Sequence, residues 1–162
     1  MVDFELSFAT LTTEEKKIYL APLNETELDN LMEYKFDASL RWSDYKKELG
    51  LQIESKKSEL NDALSWNDTR AVERINAEIS DLKLKKARAQ RLCEINHLES
   101  CCCFIEYLER NGISDEQVDS NNKQAFPLRS WEAVELHLKN NNNYQDTPSE
   151  PVLGGQSSRI TF

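Results

Sequence analysis

The sequence predicts an all-α fold: a long antiparallel helical hairpin, a coiled-coil-like arm, with short helices packed on its open end. Three observations carry this. Apolar or long side chains recur at alternating steps of three and four on both sides of Ser65–Asp68, the mark of a helical seam. No proline falls between Asn24 and Asn111. The break at Ser65-Trp66-Asn67-Asp68 is short, and two helices joined so briefly are antiparallel neighbours. One continuous helix through Trp66 is the alternative, and it demands a coiled coil between chains.

Residues 1–23 form a lead-in segment. Val2, Phe4, Leu6 and Phe8 alternate with polar residues, which fits a half-buried strand or an irregular segment covering the core. Thr12 with Glu15 is a capping box, opening a short helix that runs to Leu20 before Pro22. With only Ile18 and Leu20 as apolar positions, that helix needs the hairpin to pack on.

Residues 24–112 are the hairpin. Asn24 with Glu27 makes a second capping box. The first seam runs Leu28, Leu31, Lys35, Ala38, Trp42, Tyr45, Leu49, Ile53, Lys56, Leu60, Ala63; Lys35 and Lys56 are its two charged members. Gly50 costs about 1 kcal/mol relative to Ala inside a helix and is a point of weakness or bending. Asn67 or Asp68 caps the second helix. Its seam reads Val72, Ile75, Ile79, Leu82, Lys86, Ala89, Cys93, Asn96, then shifts toward Leu98, Cys102, Ile105 and Leu108. Gly112 stops it, with Arg110 on the negative end of the dipole. Folding about the break sets Leu60 near Val72 and Ile75, and Leu28 near Ile105. Additional apolar stripes, Met32-Phe36-Leu40 and Leu92-Phe104-Tyr107, imply a multi-helix head, whereas the distal arm is lean.

Residues 113–140 hold short helices. Ser114 with Gln117 is a third capping box, starting a helix to about Asn121, and a turn at Phe126-Pro127 follows. Ser130 caps a helix over Trp131–Leu138 whose Trp131, Val134 and Leu138 share a face. Residues 141–162, rich in Asn, Pro, Ser and Gly, read as a flexible tail.

Net charge is −9, unevenly spread. Residues 1–40 hold nine acids against three bases, 41–92 twelve bases against nine acids, and 93–162 eleven acids against five bases. An acidic head and a mildly basic arm are expected. No run of about 18 apolar residues exists, so no membrane span is predicted. The acidic start, MVDFELSF, is unlike a secretory signal. Three consecutive cysteines, Cys101–Cys103, point in different directions on a helix and do not bridge one another, which favours the reducing cytoplasm.

Two charged stretches are the candidate partner-binding residues. Lys83, Lys85, Lys86, Arg88 and Arg91 place five cations in nine residues, with Lys46 and Lys47 on the facing helix. In the head, Glu25, Asp29, Glu33 and Asp37 form an acidic run fit to meet a basic partner. Cys93, His97 and Cys101 stand at i, i+4 and i+8, but ends about 12 Å apart let one helix offer two metal ligands at most. They read as core residues. Walker, GxGxxG, GxSxG and HExxH patterns are missing, so no enzyme, cofactor or metal is expected.

The expected class is a non-catalytic protein-binding factor: an adaptor, assembly factor or inhibitor. Small acidic helical accessory proteins of phages and mobile elements are of this type. Its partner is another protein, and a homodimer would bury Leu51 and Leu84, which fall outside the seam. The alternative is a nucleic-acid-binding coiled coil using the basic arm, against which the net charge stands.

Overall fold

The computed structural model describes residues 2–141. Of these, 78% are helical and none lies in a strand, so the alternation at Val2–Phe8 builds an irregular covering segment. The helices are α1 (Thr13–Leu20), α2 (Glu25–Ser65), α3 (Thr69–Arg110), α4 (Ser120–Ala125) and α5 (Trp131–Lys139). α2 and α3 pack as a hairpin, with the short helices at one end. The chain divides into two compact units, an arm of Leu40–Cys93 and a head formed by the described residues on either side of it. The polar tail from 142 onward lies outside the described residues.

The hairpin turn is closed by two residues in succession, Asn67 and Asp68. Asn67 takes a left-handed backbone, φ 55°, and donates its N–H to the Leu64 carbonyl at 3.1 Å. The Asp68 N–H reaches the Ala63 carbonyl at 3.0 Å, completing the double bond pattern that ends a helix at a left-handed residue. Asp68 then turns donor into acceptor: its carboxylate takes the Ala71 N–H at 3.1 Å and caps α3. Asn67 therefore stops α2, and the capping of α3 falls to Asp68. α3 ends by the same device at Gly112, φ 61°, where Ile113 N–H bonds the Leu108 carbonyl at 3.0 Å.

In the arm, Lys46 bonds Gln90, Gly50 faces Lys86, and Lys56 pairs with Glu78. The midpoints of these pairs fall at 67–68, so the two helices of the hairpin keep one antiparallel register. Ile53, Ala63, Ile75 and Ile79 form the arm's distal core, with Leu60 and Val72 against it. Seam residue Lys56 stays at the edge, sharing its ammonium between Glu59 (3.3 Å) and Glu78 (3.5 Å). α2 continues through Gly50 without interruption.

In the head, α3 is central. Every residue from Leu98 to Ile105 is buried, and at about 100° per residue such a run faces every direction, so neighbours must surround the helix. Cys102, Cys103 and Ile105 join Leu28, Leu31, Phe8, Trp131 and Val134 in one cluster. Cys101, Phe104 and Leu108 join Val118 and Phe126 in another. The three cysteines thus serve as small packing residues on different sides of one helix.

The short elements depart from expectation in two places. The Ser114–Gln117 box closes only a 3-10 turn, Asp115–Gln117, and α4 begins separately, capped by Asp119 on the Asn122 N–H at 2.8 Å. A Ser-Asn-Asn start has weak helix propensity and α4 buries nothing of its own, which is why periodicity did not reveal it. In α1 the buried pair is Lys16 and Leu20, while Ile18 is 70% exposed. Lys16 spends its ammonium on the Leu11 carbonyl, so a charged residue takes the inward position. Arg110 completes the junction by donating to the Leu20, Ala21 and Leu23 carbonyls just past α1, at 2.6 to 3.3 Å.

Candidate functional site

The acidic run lies along one face of α2. Glu25, Asp29, Glu33 and Asp37 recur every fourth residue, all four are exposed, and none forms an ion pair among the described residues. Glu25 gains from the positive end of the α2 dipole, but that field fades within a turn and leaves Asp29, Glu33 and Asp37 unaided. Beside the first three runs a groove of about 460 Å³, bounded across from them by Phe104 and Tyr107 of α3 and Phe126 following α4. Phe104 and Phe126 stack with centroids 4.4 Å apart, and Phe104 stacks on Tyr107 at 6.1 Å. Asp37 lies outside this lining. The carboxylates were legible as a run; the aromatic wall comes from two distant segments and was not.

The basic residues of the arm divide around α3. Lys83 and Lys86 line a recess of about 300 Å³ with Ala87, Gln90 and Lys46 of the facing helix. Lys46 donates to Gln90 at 2.6 Å. Lys85, about 200° round the helix from Lys83, pairs with Asp81 at 3.2 Å. Arg88 and Lys47 are exposed and Arg91 is half-buried. Three of the seven cations therefore line one recess, and the other four are not part of its lining.

His97 and Cys101, spaced as possible ligands but read as core residues, have separate roles. The His97 ring nitrogen Nε2 meets the Ala125 carbonyl at 2.8 Å, and Cys101 is buried against Phe104 and Phe126. His137 of α5 lines a recess of about 330 Å³ with His97 and Glu94. Among the described residues no group of three or more His, Cys, Asp or Glu side chains could hold a metal. Burial pushes the Cys101 thiol up to about 11 and raises Cys102 and Cys103 further, opposite to what a reactive thiolate needs.

The best-organised polar cluster escaped the sequence reading. Glu99 is fully buried, and its Oε2 accepts from the Phe8 N–H (2.5 Å), the Ala9 N–H (2.9 Å) and the Ser7 hydroxyl (2.9 Å). Its Oε1 lies 2.9 Å from Lys35 Nζ, which also donates to the Leu6 carbonyl at 3.0 Å. All four of these partners in residues 6–9 are tied by one ion pair, a strap across the head: Oε2 takes three hydrogen bonds, while the enclosed Oε1 answers only the Lys35 charge. The signal was Lys35 standing in an apolar seam. Nearby, burial lowers the Lys16 ammonium below the ordinary lysine value.

No helix among the described residues is long and apolar enough to cross a membrane. Comparison with protein-family models, curated proteins and solved structures finds no match to the chain.

Proposed function

We propose that the chain is a non-catalytic protein-binding factor, acting as an adaptor, assembly factor or inhibitor, and that the acidic face of α2 meets a basic surface of its partner. The observation that supports this most is the four-residue repeat of exposed carboxylates, Glu25 to Asp37, none of them in an ion pair among the described residues and the first three beside a groove with an aromatic wall. An uncompensated row of like charge costs stability within its own chain and gains value on meeting the opposite charge. The experiment is capture from an extract of the native host with mass spectrometry, comparing the wild type with Glu25→Lys/Glu33→Lys/Asp37→Lys. A protein retained by the first and lost by the second supports the reading. Equal retention by both sinks it.

Self-association belongs to the same reading. Leu51 and Leu84 are 73% and 72% exposed on the arm, and a four-helix pairing of two arms would cover them. A monomer mass by light scattering at tens of micromolar removes the homodimer. The cytoplasm fits four free cysteines, three of them buried. The competing reading is nucleic-acid binding by the arm, favoured by the convergence of Lys46, Lys83 and Lys86 on one recess. Net charge −9 opposes it.

A further inference from the structure

The groove beside α2 has the chemistry of a receptor for one particular shape of basic partner. Its near rim carries Glu25, Asp29 and Glu33 one helical step of four residues apart, hence about 6 Å between successive charges. Its far wall is aromatic, with Phe104 and Phe126 buried and Tyr107 half-buried. At about 460 Å³ it has room for a row of side chains along the rim. A partner that satisfies the rim must therefore present cations about 6 Å apart along one line, with apolar stems reaching toward the wall. A helix with basic residues at i, i+4 and i+8 does this when it lies alongside α2, because its own repeat equals that of the carboxylates. Arginine suits the site better than lysine. Its planar, weakly hydrated guanidinium can pair with a carboxylate and lie against an aromatic ring together.

We infer that the groove between α2 and the Phe104–Tyr107–Phe126 wall docks a partner helix carrying arginines at four-residue spacing. This rests on the protein-binding reading above and specifies the partner's form. An arginine inserted there exchanges water for the edge of the aromatic wall, Tyr107 above all, and finds carboxylates that no cation of the described residues already occupies. Asp37 continues the line beyond the groove and lengthens the electrostatic track without adding to the pocket.

The test uses the full chain and a fluorescein-labelled, alanine-based helical peptide with three arginines at i, i+4 and i+8, followed by anisotropy at about 150 mM salt. Two further peptides replace the arginines by lysine, or keep three arginines but spread them around the helix. Asp29→Asn/Glu33→Gln removes two rim charges. Glu116→Gln/Glu132→Gln removes two exposed charges elsewhere in the head and serves as the control. Circular dichroism checks that each variant keeps its helicity. The expected result is binding of the aligned peptide, weakened roughly twentyfold by the rim variant and less than about twofold by the control. Tyr107→Ala should weaken the arginine peptide more than the lysine peptide. Three outcomes overturn the inference: no binding at about 100 µM, equal binding of the aligned and spread peptides, or equal losses in rim and control variants. In each, a host protein captured by wild type and lost on charge reversal would leave the broader reading standing; loss of both removes both.

Discussion

Lys35 Nζ and Glu99 Oε1 stand 2.9 Å apart with both side chains almost wholly excluded from solvent, so the head is built around an ion pair inside its core. Removing either partner leaves a buried charge unanswered, at a cost of about 3–5 kcal/mol. Glu99→Ala should be the worse of the two, because it also orphans the Phe8 and Ala9 amides. Urea titration of Lys35→Met, Glu99→Ala and Lys35→Met/Glu99→Leu will measure this. The double variant should remain destabilised, since no leucine can accept those two N–H groups; full recovery would show the strap to be dispensable.

Alkaline pH should loosen the fold. Unfolded thiols ionise from about pH 8.5, whereas burial keeps Cys101 protonated to about 11 and Cys102 and Cys103 higher still. In that window the folded chain holds more thiol protons than the unfolded one, so stability falls as pH rises, by up to about 1.4 kcal/mol per thiol per pH unit. Lys16 works the other way. Its lowered folded value means the unfolded chain holds the extra proton until about pH 10.4, and stability from this group grows with pH. Three thiols against one lysine give a net loss. Denaturation midpoints between pH 8 and 10, in reductant, should decline, and Cys101→Ala should make the decline shallower.

Gly50→Ala should stabilise the arm by up to about 1 kcal/mol. The new methyl would sit 3.5 Å from Lys86 Nζ, an ordinary contact with the end of a flexible side chain. Gly112→Ala should do the reverse, because φ there is 61° and a Cβ strains that conformation. Thermal melts that move in the same direction for both variants would contradict this account.

Reversing Lys83, Lys86 and Arg88 to Glu separates the two readings of the surface. Under the protein-binding reading, gel shifts with DNA or RNA are absent before and after the change. Submicromolar binding at about 150 mM salt, steeply salt-dependent and lost in the triple variant, would favour nucleic acid.

Local signals were legible where a residue acts on its own neighbourhood. The boxes at Thr12/Glu15 and Asn24/Glu27 form as spaced, Ser130 caps α5, and Gly112 ends α3. The hairpin register followed from the break, placing Leu60 with Ile75 and Leu28 with Ile105. What escaped depends on residues far apart in the chain. Lys16 faces inward and Ile18 outward because the Leu11 carbonyl awaits an ammonium, which no periodicity encodes. The Lys35–Glu99 pair joins two helices, and neither residue's spacing names the other. The run from Leu98 to Ile105 did carry a readable sign, since Cys-Cys-Cys-Phe-Ile is apolar all round and so demands neighbours on every side.

The strap through Glu99 also orders events during synthesis. Phe8 and Ala9 leave the ribosome about ninety residues before the carboxylate that will accept their amides. At about 5–20 residues per second they wait roughly five to twenty seconds. The arm's contacts close around Asn67 and are available as soon as α3 begins to emerge, whereas the nascent N-terminal segment must stay uncommitted until Glu99 arrives. A chain cut short before Glu99 can still pair the distal arm, but its Phe8 and Ala9 amides lack the carboxylate that accepts them.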